Sequence, residues 1–161
     1  MLERLLPQRI DNAYRGSRLA PWLFALVVSI KTAQSLLSIF NGYSVARSAD
    51  GIPLDAYPPA SAQTVVAFLA LSGFYHLLIF LLCVLVLVRY RSALPFMFAL
   101  LVLDYLGRTL ILQSLPIVRT GTPVGPIVNL VLFALTIAGL ALSLRSQGDR
   151  SASPWSSHEA T

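Results

Sequence analysis

Residues 64–88 read TVVAFLALSGFYHLLIFLLCVLVLV. No Asp, Glu, Lys or Arg interrupts this run, and it is longer than the ~20 apolar residues that cross a bilayer as a helix. A soluble helix of this size would carry a broad polar face, whereas the polar groups here gather at Ser72, Tyr75 and His76 near the midpoint. Three further stretches, Leu19–Phe40, Leu94–Leu112 and Val124–Leu144, have the same character, with Lys31 and Asp104 near the middle of the first and second of these. Backbone polar groups find no water in lipid, so each run is read as a helix. The fold class is an all-α integral membrane protein with four transmembrane helices.

Composition points the same way. Of 161 residues, 56% are hydrophobic and only 12% charged, which lies outside the usual range for soluble domains. Four spans and their connections use nearly the whole chain, so no separate soluble domain fits. The net charge of +5 is explained by position. Arg4, Arg9, Arg15 and Arg18 precede the first span, Arg89 and Arg91 lie between the second and third, and Arg145 and Arg150 follow the fourth. Only Arg47 and Arg119 occupy the alternate loops, a split of eight against two. This positive-inside pattern places both termini and the short middle loop in the cytoplasm of a cell with a plasma-type (inner) membrane. The basic balance therefore points to anionic lipid headgroups rather than nucleic acid.

The predicted organisation follows. Residues 1–18 form a basic cytoplasmic interfacial segment, which Pro7 keeps from being one unbroken helix. Residues 19–145 hold the transmembrane domain, with a long outer loop over 41–63. Residues 146–161 are polar, Ser-rich and without an apolar face, and are read as a disordered cytoplasmic tail. Short connections make sequential spans antiparallel, an up-down-up-down bundle, N-in and C-in. Trp22 and Tyr90 at the inner boundary and Tyr43 near the outer one suit an aromatic belt. Cleavage of the first stretch as a signal peptide is disfavoured: the basic leader is long and no A-x-A-like site follows.

In the outer loop, Asp50-Gly51 favours a turn and Pro58-Pro59 stiffens the approach to the second span. Asp50 and Asp55 lack the additional, fixed-spacing oxygen ligands of a calcium loop, so the loop is read as a cap or a partner-docking segment. Thr122 followed by Pro123 reads as a helix cap and a first-turn proline. Cys83, the sole cysteine, excludes an intramolecular disulfide and is read as a small hydrophobe.

Helical spacing turns the polar residues of the spans into stripes. Lys31, Gln34, Ser35 and Ser38 share one side of the first helix; Ser72, Tyr75 and His76 share a side of the second; Asp104 and Arg108 share a side of the third. In the fourth, Gly125, Asn129, Leu132, Thr136, Gly139 and Ser143 alternate steps of four and three, a small-and-polar seam. Lipid offers these groups no partners, so the stripes are expected to turn inward and converge.

Two functions fit that convergence. In the first, a buried Lys/His/Asp/Arg network orders the helices of a non-catalytic membrane component or accessory subunit. In the second, Lys31, Gln34, Tyr75, His76, Asp104, Arg108 and Asn129 form a site that binds, transports or senses a small anion or protons. An enzyme is not expected: no Ser-His-Asp order, H-E-x-x-H or glycine-rich phosphate loop is present. No cofactor is implied, since haem held by two histidines would need another chain. Transport would call for a homo-oligomer or a membrane partner subunit, because internal repeats and broken helices are missing.

Overall fold

The computed structural model describes residues 16–120 and 122–145, and every regular element among them is helical. Four long helices dominate: α1 (Leu19–Phe40), α2 (Pro59–Arg89), α3 (Leu94–Ser114) and α4 (Val124–Leu144). Each is long and apolar enough to cross a membrane. Apart from residues 16–18, the interfacial segment expected over 1–18 lies outside the described residues, as does the tail over 146–161.

Prolines set several of the boundaries. Helix α2 begins at Pro59 rather than Thr64, because a proline at the first helical position loses no hydrogen bond. Its 31 residues rise about 46 Å, well beyond the ~30 Å hydrocarbon layer. Helix α3 carries Pro95 in its first turn and is entered through a single 3-10 turn, Arg91–Ala93. At the start of α4 the sequence expectation is corrected. Pro123 itself is the N-cap, extended at ψ 131°, and no side chain caps the helix. Thr122, held before a proline, is pushed away from helical geometry.

Contacting positions show how the helices lie. Gly42 faces Val66, while Gly73 faces Ser35 and Ser38, so numbering falls along α1 as it rises along α2. Between α1 and α4, Ser17 N–H donates to Leu142 O at 3.3 Å, and Gly125 lies against Ala49 in the loop that follows α1. Phe98 of α3 covers Gly139 of α4, and Tyr105 stacks on Phe133 with ring centroids 4.1 Å apart. Helix α1 packs closely on α2 and on α4, and α3 leans on α4, whereas α2 and α3 meet much less.

The main core sits at the end that carries the Arg91–Ala93 turn, called here the turn end. Ala20, Phe24, Val27 and Val28 meet Phe80, Cys83 and Val86, together with Leu94, Met97, Phe98, Leu101 and Leu132. Phe24 and Phe98 pack edge to face at 4.9 Å. In a bilayer, whose lipid tails are as apolar as these side chains, tight fit rather than escape from water would hold them together. A smaller core of Ala46, Ile52, Leu54 and Ala62 closes the opposite, loop end. There the 41–58 connection is folded: a helical turn, a π-helical turn over Val45–Ala49 and a 3-10 turn over Leu54–Ala56. Gly51 adopts φ 69°, a left-handed conformation natural to glycine, and its carbonyl accepts Thr120 N–H at 2.8 Å. The long loop is thus a cap, tied to the α3–α4 connection.

Helix α3 changes character along its length. Its buried residues, Leu94, Pro95, Met97, Phe98 and Leu101, all lie in the half nearest the turn end. Beyond Leu101 no residue of α3 is buried.

Candidate functional site

The middles of α1 and α4 are joined by one polar contact. Lys31 Nζ donates to Asn129 Oδ1 at 2.7 Å, and both side chains are half-buried. The stripes that carry them behave as expected. Ser35 is buried and Gln34 and Ser38 half-buried on α1, while Leu132, Thr136, Gly139 and Ser143 are buried along the α4 seam. Thr136 and Ser143 hydroxyls donate back to Leu132 and Leu140 carbonyls, so neither seeks a partner in lipid.

A second contact joins α2 to α3. His76 Nε2 stands 3.6 Å from Asp104 Oδ1, with the two side chains 28% and 37% exposed. On the other edge of the ring, Nδ1 lies 2.8 Å from Ser72 O, which can only accept, so Nδ1 carries a hydrogen. Ser72 Oγ is 3.4 Å from the same nitrogen. A neutral ring in this tautomer turns a lone pair toward the carboxylate. The approach is attractive only when one more proton lies between them. His76 also stacks on Phe80, with centroids 6.1 Å apart.

Lys31, Asp104 and Asn129 line one cavity of about 20 Å³, walled by Val27, Phe80, Leu101 and Leu132 among others. That is space for about one water molecule. The expected single buried network of Lys31, His76, Asp104 and Arg108 is not what forms. Two separate pairs are seen, and Arg108 is exposed and takes part in neither. Tyr75 is also exposed, at 58%, and Gln34 is half-buried. The inward turn of all four stripes holds for α1 and α4 but not for α2 and α3, which meet less closely and leave Ser72, Tyr75 and Arg108 exposed.

A polar cluster in the cap escaped the helical-spacing argument. Arg47 Nη2 pairs with Asp55 Oδ2 at 2.9 Å, and Tyr43 OH donates to Asp55 Oδ1 at 2.8 Å. The hydrogen bond to that carboxylate holds Tyr43 above the usual phenol range. Tyr43 and Asp55 border an open depression of about 410 Å³ that also meets Leu54, Tyr57 and Gln63. Only the folded loop brings Tyr43 to Asp55, so no local spacing signals the pair.

Comparison with protein-family models, curated proteins and solved structures returns no match. The functional reading therefore rests on this geometry.

Proposed function

We propose that the chain is a non-catalytic multi-pass membrane component in which mid-span polar contacts tie the helices in register. The observation that carries this reading is the 2.7 Å bond from Lys31 to Asn129 beside a cavity of only about 20 Å³. Lys31 has a protein acceptor, and the space left is smaller than a carboxylate or phosphate needs. That favours a tie over an anion site. In this reading Lys31, Asn129, His76 and Asp104 do the tying, and Gln34 and Tyr75 have no ligand role. The topology proposed with it is an up-down-up-down bundle, N-in and C-in, in a plasma or inner membrane, with anionic headgroups against the basic flanks. The exposure of Trp22, Tyr43 and Tyr90 suits boundary positions.

A double-mutant cycle tests the tie. Asn129→Leu leaves an ammonium without its acceptor and should cost about 2–3 kcal/mol, and Lys31→Met somewhat less. The double variant should lose about 1 kcal/mol less than the sum of the two single losses in membrane mimetics. Additive losses would count against the tie. A saturable rise in melting temperature with phosphate or acetate, absent in Lys31→Met, would replace it with an anion site.

A further inference from the structure

Arg108 presents an unsolved problem of charge. It lies within α3, one helical turn beyond Asp104, in the half of the helix that buries nothing. Among the described residues the close cation–carboxylate contacts are Arg47 with Asp55 and His76 with Asp104, so no described carboxylate stands within ion-pairing distance of Arg108. Charged groups inside spans ordinarily pair or face water. Escape toward the near end of α3 works against helix geometry, since side chains lean toward the helix N-terminus and so carry Arg108 back toward the depth of Asp104.

Gly107 stands beside it. A Cβ at this position would meet nothing within 4 Å, so no packing among the described residues calls for glycine there. The other span glycines differ: Gly73, Gly125 and Gly139 each sit where a neighbour leaves no room for a methyl. A small residue in an open stretch of a span is what the close approach of another helix uses. Asp104, Gly107, Arg108 and Ile111 follow i, i+3, i+4, i+7 and share a face.

We infer that two copies of this chain pair through that face of α3. Copies inserted the same way lie parallel, and a two-fold axis beside Gly107 brings each copy's glycine against the other's. The same axis sets Asp104 of each copy near Arg108 of the other, one turn apart in depth and within reach of the long arginine side chain. The charge pattern is self-complementary, as an isologous interface requires, which selects a second copy over an unrelated partner. Asp104 keeps His76 on its inner flank. The pairing rests on reading α3 as a membrane span.

The test is cross-linking in native membranes by copper–phenanthroline oxidation. The parent chain serves as the blank, because its free cysteine, Cys83, is buried. Gly107→Cys should link two chains, while Leu106→Cys, about 100° round the same helix, should not. In a second experiment, differently tagged Asp104→Asn and Arg108→Gln chains are expressed together. The mixed pair keeps one of the two cross-chain contacts and each like pair keeps neither, so mixed pairs should be recovered severalfold over like pairs. Equal recovery, or linking at Gly107→Cys no greater than at Leu106→Cys, overturns the pairing. Alkaline carbonate extraction separates the two levels: a released chain overturns the span reading, and a retained chain that does not link overturns the pairing alone.

Discussion

Two carboxylates in this chain keep different company. Asp55 lies in the cap, exposed, with Arg47 and Tyr43 on its two oxygens. Asp104 lies mid-span with His76. The first arrangement has a pH signature. Tyr43 donates to Asp55, which favours the neutral phenol and raises its titration point. The stabilising contribution is therefore complete below the ordinary phenol range and is lost as pH rises through the raised value. In an ultraviolet difference titration against Tyr43→Phe, Tyr43 should ionise later than a free tyrosine, and Asp55→Asn should bring it earlier. No change in Asp55→Asn would refute the contact. Residue identity was a partial guide at this scale. Lys31 and Asn129 announced themselves because charge and amide in apolar runs need partners. Asp55 did not, because its partners depend on how the loop folds.

Among the elements, glycines separate the packed helices from the unpacked half of α3. Gly139 lies under Phe98, a fully buried ring that has no free direction in which to move. Gly139→Ala should therefore destabilise the chain by about 1–3 kcal/mol through overpacking. Gly107→Ala meets open space and should be tolerated when the protein is dilute enough in detergent to separate copies. Thermal unfolding of the two variants under one condition decides it, and equal losses would contradict the packing described. The spans themselves were legible, α1 and α4 to the residue, since apolar length is what defines them. The α4 seam was legible too, because a small-and-polar heptad has one inward solution. For α2 and α3 the stripes named a side but not a neighbour. Which helices touch is decided by contacts such as Phe24 with Phe98 and Tyr105 with Phe133, and nothing in the local pattern encodes those.

For the whole molecule, the proposed sidedness gives a direct expectation. Ala56 and Tyr90 are both exposed and lie at opposite ends of α2. Ala56→Cys should react with an impermeant maleimide on intact cells, and Tyr90→Cys only after permeabilisation; the reverse would invert the topology. The cap and the α3–α4 connection, joined at Gly51 and Thr120, would then present one folded surface to the outside. The Lys31–Asn129 bond also carries a consequence for biosynthesis. Its partners are 98 positions apart, and a ribosome adds about 5–20 residues per second. The first helix therefore waits roughly 5–20 s after Lys31 is made before its acceptor exists. A first helix that enters the bilayer within that interval does so with its ammonium still lacking this acceptor, and the making of α4 completes the contact.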